Sequence, residues 1–146
     1  MTDATDPFDL QRFIDAQRSS YAQAMAELRA GRKHSHWMWY VLPQLRGLGL
    51  SGMAQRYGIA SMDEARAYLG HPVLGARLRE CVAAMNALPG SNARQVLGSI
   101  DALKFRSCLT LFGVVAPEED LFQAALDKFY AGKPDPQTLE LLGSDA

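Results

Sequence analysis

The sequence predicts an all-α fold, a compact single domain of about seven to eight helices around a central apolar helix at about residues 99–115. Three observations lead to this prediction. Apolar residues recur every three to four positions over most of the chain, which is the period of an α-helix. Capping residues, prolines and glycines divide that pattern into segments of helical length. Short stretches that alternate apolar and polar residues, as half-buried strands do, are scarce.

Length and charge narrow the class of protein. The chain has 146 residues and a formal net charge of −1, a typical size for one domain that needs no metal or disulfide to form its core. The balanced charge argues against a protein that binds nucleic acid through bulk electrostatics. No apolar run approaches the ~20 residues of a membrane span, and the polar start does not resemble an export signal. The sequence therefore predicts a cytoplasmic protein without membrane contact.

The first two helices are predicted from their caps. Residues 1–8 are expected to form a flexible arm. Within it, Asp6 and Pro7 supply an N-cap and a first-turn proline for a helix at about 9–17. A second helix follows at about 19–30 and ends at a glycine.

The segment from Lys33 to Gly58 departs from the helical pattern. Aromatic residues are bunched at its start, and four glycines follow them. Pro43 interrupts any helix there, and the glycines indicate turns. A short helix is expected to resume at about 51–57.

The second half of the chain is a series of predicted helices. Ser61 and Glu64 match a capping box, in which the serine caps the helix and the glutamate reaches back to its start. A longer helix begins at His71-Pro72 and keeps its apolar spacing for four turns, and a short helix closes at Gly98.

The last three helices complete the predicted domain. The segment 99–115 is apolar nearly all round, which is typical of the buried centre of a helical bundle. Helices at about 117–131 and 137–142 follow it. The domain is thus expected to span 9–142, with a tail at 143–146.

Two cysteines, Cys81 and Cys108, each lie within an apolar helical stretch. Without a CxxC motif they are interpreted as buried thiols in a reducing compartment, and an apolar setting is a poor one for a nucleophilic thiolate. Walker, GxSxG and HExxH motifs are also missing from the sequence.

The densest group of reactive and aromatic side chains lies at residues 33–40, Lys-His-Ser-His-Trp-Met-Trp-Tyr. Flat rings can stack on a base, a sugar or a cation. His36 is the candidate acid or base, because an unperturbed histidine titrates near neutral pH. The alternative is an aromatic plug over the end of the bundle, with His36 hydrogen-bonded to the backbone. A zinc site from His34, His36 and His71 is not predicted, since no acidic residue stands at ligand spacing.

Lys104 and Arg106 lie on the apolar segment 99–115. Isolated charges in apolar surroundings are costly unless they are paired. The two cations are therefore expected to reach a carboxylate such as Asp101 or Glu80, to extend into solvent, or to receive an anionic ligand such as phosphate.

Two hypotheses about function follow from these side chains. In the first, a pocket lined by the aromatic cluster binds a small anionic or nucleotide-like ligand, without a cofactor or a metal, and any reaction is left open. The residues predicted to bind this ligand are His36, Trp37, Trp39, Tyr40, Gln44, His71, Arg77, Lys104 and Arg106. In the second, the same aromatic surface docks a protein partner and catalyses nothing. A concave pocket favours the ligand, and a flat apolar patch favours the partner.

Three strings also carry a resemblance to a known family: SHWMWYVLPQLRGLGLSGMAQRYGI, EARAYLGHPVLGARLREC and DALKFRSCLTLF, in this order. Over about residues 9–142 the chain resembles the bacterial domain-of-unknown-function family 1810, of the Rv1873-like superfamily. The resemblance implies a compact all-α domain standing alone in a cytosolic protein. It assigns no catalytic role to any residue of this chain. Some members carry the label calpastatin, but nothing in this sequence supports protease inhibition. The family usually has proline where this chain has Ile100, which leaves the exact start of the long helix open.

Overall fold

Ten α-helices, joined by turns and short loops, make up residues 6–144, the part of the chain that the computed structural model describes. In chain order they are α1 (Gln11–Arg18), α2 (Tyr21–Ala30), α3 (Met38–Val41), α4 (Gly52–Tyr57), α5 (Met62–Gly70), α6 (Leu74–Asn86), α7 (Ala93–Leu97), α8 (Ser99–Val115), α9 (Asp120–Tyr130) and α10 (Pro136–Ser144). The predicted all-α class and single compact domain are confirmed, with more helices than the seven to eight expected. One isolated parallel bridge joins Leu45 to Ile59.

The ends of the chain differ from the expected boundaries. Helix α1 begins at Gln11, two residues later than predicted, because the Asp6 carboxylate accepts hydrogen bonds from the backbone N–H of Leu10 (2.8 Å) and of Gln11 (3.0 Å). At the other end, α10 runs through Gly143 to Ser144, beyond the expected start of the tail. Residues 1–5 of the expected arm, and residues 145 and 146 of the expected tail, lie outside the described residues.

Helix α8 is the predicted central helix, and it packs against α5, α7, α9 and α10. Phe105, Cys108 and Phe112 are fully buried along it. The helix begins at Ser99 after Gly98, whose φ of +90° is a conformation that glycine adopts without strain. Ile100 therefore lies in the first turn, where a proline would also fit because that N–H has no intrahelical acceptor.

Local signals located several other helix ends correctly. Gly31 closes α2 with a φ of +75°, as a C-terminal glycine does. Ser61 Oγ accepts the N–H of Glu64 at 3.2 Å, and Glu64 Oε1 accepts the N–H of Ala60 at 3.1 Å. The capping box is thus present, with the return bond displaced by one residue from its usual place at the N-cap. None of the helices within residues 6–144 combines the length and the apolar character needed to cross a membrane.

Candidate functional site

The aromatic segment 33–40 is held in place by a buried carboxylate. Glu27, on α2, accepts hydrogen bonds from the backbone N–H of His34 (2.8 Å) and Ser35 (2.9 Å) and from the Ser35 hydroxyl (2.7 Å). It also accepts from Gln23 Nε2 at 2.8 Å and from Trp37 Nε1 at 3.0 Å. Burial by itself raises the pKa of Glu27, but these hydrogen bonds, with those from Ser35 foremost, outweigh it and hold the pKa well below its ordinary value. Glu27 is therefore an ionised anchor for the loop.

This anchor separates the two tryptophans. Trp37 is 1% exposed and lies in the core, so it offers no face to a ligand. Tyr40 is also engaged within the protein, since its hydroxyl donates to the His36 carbonyl (3.3 Å) and its ring packs edge-on against Tyr57. Trp39 and Tyr40 are both half-buried, but of the three aromatic residues Trp39 is the one that lines an opening.

That opening is a cleft of about 380 Å³ between the aromatic segment, the end of α7 and the start of α8. We call it the α8 cleft. It is lined by Lys33, His36, Trp39, Leu97, Gly98, Ser99, Ile100, Asp101 and Lys104. The structure thus brings three of the proposed binding residues, His36, Trp39 and Lys104, to one cleft, although they come from two distant parts of the chain.

Two ammonium groups share one carboxylate in the α8 cleft. Lys33 Nζ lies 2.8 Å from Asp101 Oδ2, and Lys104 Nζ lies 3.7 Å from Asp101 Oδ1. Lys33 also donates to the Ser35 carbonyl at 2.6 Å. Among the described residues that line the cleft, only Asp101 is a carboxylate, so the two lysines leave the lining with an excess positive charge. The first turn of a 17-residue helix, with its free N–H groups, adds to the positive potential.

The lysines are oriented by the tryptophan rings. Lys104 Nζ lies 4.7 Å from the centroid of the Trp39 ring, and Lys33 Nζ lies 5.0 Å from that of Trp37. These distances are those of cation–π contacts, which fix the position of an ammonium without neutralising its charge. The Lys104 ammonium makes no hydrogen bond to any residue between 6 and 144, so its N–H donors are available to a ligand.

His36 is exposed on the rim of the α8 cleft. Its carbonyl accepts from Tyr40, but its imidazole makes no hydrogen bond within the described chain. The structure therefore does not contain the alternative arrangement, an aromatic plug in which the His36 side chain is hydrogen-bonded to the backbone. Across residues 6–144, no three His, Cys, Asp or Glu side chains converge in a group that could hold a metal ion.

Three predicted binding residues have structural partners elsewhere. His71 Nδ1 accepts the N–H of Val73 (3.1 Å) and of Leu74 (3.2 Å) and so caps the start of α6. Arg77 donates to Gln17 Oε1 at 3.2 Å. Arg106 donates to two backbone carbonyls in the loop before α10 and lines a different groove.

Gln44 lies behind the ring of Trp39 rather than in the α8 cleft. With Trp39 and Lys104 it lines a cavity of about 10 Å³, room for about one water molecule. This cavity is too small for a metabolite.

Sequence reasoning did not assign Lys33 and Asp101 as binding residues. Asp101 was expected only as a possible ion-pair partner of Lys104, and the two stand at i, i+3, a spacing that places them on one helix face. Nothing local links Lys33 to Asp101, since their ion pair depends on how α2 and α8 are placed.

Comparison with known proteins gives a family and a related structure. A family model described as a protein of unknown function (DUF1810) matches residues 7–142. The crystal structure of the conserved hypothetical protein Rv1873 from Mycobacterium tuberculosis is similar to this chain, with 49% identity and a TM-score of 0.93. That similarity covers 94% of this chain and 99% of the other. No curated protein matches the chain.

Proposed function

Because the chain belongs to the DUF1810 family, whose description gives no function, we propose one from the geometry of the α8 cleft. The protein binds a small anionic or nucleotide-like ligand there, with its phosphate or carboxylate group on Lys104 and the first turn of α8. The volume of about 380 Å³ is within the range of small-molecule sites.

The observation that carries this proposal is the incomplete pairing of Lys104. Its ammonium rests on the Trp39 ring, and its one ion-pair contact within the described chain, to Asp101, is long at 3.7 Å. An anionic oxygen could approach it at ordinary hydrogen-bond distance and gain a charge-assisted bond. Lys33 already holds Asp101 at 2.8 Å, so that carboxylate need not move when the ligand arrives.

Any chemistry at this site would fall to His36. It stands on the rim of the cleft, and imidazole is a common general acid or base in catalysis. We therefore retain His36 as the acid or base candidate, without assigning a reaction.

Thermal unfolding with inorganic phosphate, nucleotides and phosphorylated metabolites tests the proposal. A ligand at about 100 times its dissociation constant adds about 2.7 kcal/mol to the free energy of unfolding, worth several degrees in a domain of this size. We expect Lys104→Gln and Trp39→Ala to abolish the shift. Lys133→Gln, which removes an exposed lysine outside the cleft, should keep it. A ligand-induced shift of equal size in Lys104→Gln and wild type would contradict the proposal.

A partner protein is the second candidate, and one observation favours it. Ile100 and Leu103, on the first two turns of α8, are 70% and 65% exposed beside the cleft. Large apolar side chains so exposed occur often at interfaces. If no compound shifts the unfolding temperature, a pull-down with wild type against an Ile100→Glu, Leu103→Glu double variant tests this function. A partner that wild type and the double variant retain equally would show that this surface is not the docking site.

A further inference from the structure

A second groove of about 710 Å³ lies on the other side of the start of α8. We call it the arginine groove. It runs between the start of α7, the first turns of α8 and the end of α9, and Arg94, Leu103, Arg106, Phe129 and Tyr130 are among the residues that line it. Ser99 lines both this groove and the α8 cleft, so the two lie back to back across the first turn of α8.

The floor of the arginine groove is aromatic and fixed. The ring of Phe105, fully buried beneath it, packs 6.1 Å from the ring of Phe129 and 6.3 Å from that of Tyr130. The Tyr130 hydroxyl donates to the carbonyl of Ala102 on α8, which holds the phenol against the helix. Leu103 extends this apolar surface toward solvent and is 65% exposed. The groove therefore offers a preformed face for a flat apolar group.

The charge of the arginine groove has one sign. Arg94 and Arg106 line it, and within residues 6–144 no carboxylate is among its lining residues. Arg106 donates through Nε to the carbonyl of Lys133 and through Nη2 to that of Pro134, both at 2.9 Å. Its Nη1 makes no hydrogen bond within the described chain. The guanidinium is therefore held in place and still has N–H groups free to bind a ligand. Arg94 is exposed and has no ion pair within residues 6–144.

We propose that the arginine groove is a binding site for an organic anion with a flat apolar body. The apolar body lies on Phe129 and Tyr130, and the anionic group lies between Arg94 and Arg106, whose planar guanidinium groups suit carboxylate, sulfonate or phosphate oxygens. The volume is within the range of small-molecule sites. The two sites use different cations: the α8 cleft holds its anion on Lys104 beside Trp39, whereas the arginine groove holds it between Arg94 and Arg106.

A fluorescence titration with anilinonaphthalene sulfonate tests the proposal, because this probe combines a flat apolar body with one anionic group. We expect one saturable site in the folded wild type. Arg94→Gln should weaken binding about tenfold, in line with the loss of a charge-assisted hydrogen bond. Arg66→Gln is the matched control, since Arg66 is an exposed helical arginine that lines neither groove.

Leu103→Gln provides a second test on the apolar side of the site. This variant should also weaken binding of the probe. It should leave the unfolding temperature unchanged, because the Leu103 side chain is mostly exposed. Phosphate-induced stabilisation through Lys104 should be unaffected by Arg94→Gln, which separates this site from the α8 cleft. Equal affinity for the probe in wild type, Arg94→Gln and Leu103→Gln would overturn the proposal, as would the absence of saturable binding.

Discussion

Trp37 Nε1 donates a hydrogen bond to Glu27 Oε1 at 3.0 Å in the interior of the protein. The carboxylate that accepts it also holds the backbone of His34 and Ser35, so one ionised side chain on α2 fixes both the ring and the loop. This arrangement turns Trp37 inward and leaves Trp39 at the surface, beside Lys104. The α8 cleft therefore depends on an anchor that does not itself line it.

Glu27→Gln should lower the free energy of unfolding by about 2 kcal/mol, because hydrogen bonds to a charged acceptor are stronger than those to a neutral one. Urea denaturation measures this difference. Glu118→Gln is the control, since Glu118 is exposed and its replacement should change stability by less than about 0.5 kcal/mol. Equal stability of Glu27→Gln and wild type would show that Glu27 is not an ionised anchor.

The stability of the protein should fall in acid because of the same residue. The pKa of Glu27 in the folded state lies below its ordinary value of 4.5, so its contribution is complete above pH 4.5 and is lost as the pH falls toward the folded pKa. The free energy of unfolding, measured from neutral pH down to about pH 3, should fall more steeply in wild type than in Glu27→Gln. Parallel curves for the two proteins would contradict this prediction.

Arg12→Ala should cost about 3–5 kcal/mol of stability, because it leaves a buried carboxylate without its counter-ion. Arg12 Nη2 lies 2.7 Å from Glu64 Oε2, and their side chains are only 11% and 3% exposed. Arg12 also donates to the carbonyls of Arg56 (2.9 Å) and Gly58 (3.3 Å), tying α1 to the end of α4.

The matched control for that substitution is Arg66→Ala. Arg66 pairs with Asp63 at 3.1 Å, but both side chains are more than half exposed. Exposed ion pairs contribute about 0–1 kcal/mol, so this variant should unfold nearly as wild type does. Chemical denaturation of Arg12→Ala and Arg66→Ala measures their free energies of unfolding. Similar losses of stability in the two variants would contradict this prediction.

Both cysteines should resist thiol reagents in the native protein. Burial raises the pKa of Cys81 to about 12, and burial also raises the pKa of Cys108, so neither forms the reactive thiolate at neutral pH. A disulfide reagent should label neither thiol in buffer and both in concentrated urea. Rapid labelling of folded protein would show that one of the two helices opens easily.

The helices were predictable because their signals are local. The capping box at Ser61, the glycine after α2 and the apolar run of α8 each lie within a few residues of the structure that they form. The short helix α3 was missed, since four residues carry too little periodicity to be recognised. The segment 99–115 was expected to be buried nearly all round, whereas Leu103 within it is 65% exposed and lines the arginine groove.

The candidate site was predictable only in part. His36, Trp39 and Lys104, three members of the proposed binding set, come together in the α8 cleft. Trp37 and Tyr40 share the same sequence cluster but are engaged within the protein, through partners on α2 and α4.

The sequence by itself determined the all-α class, most helix positions and the buried central helix, because helical hydrogen bonds and caps join residues a few positions apart. The tertiary structure decided which tryptophan is buried, which lysine is left with a free donor and where the two grooves open. Those outcomes rest on contacts between distant segments, such as the ion pair of Lys33 with Asp101, which no local pattern specifies.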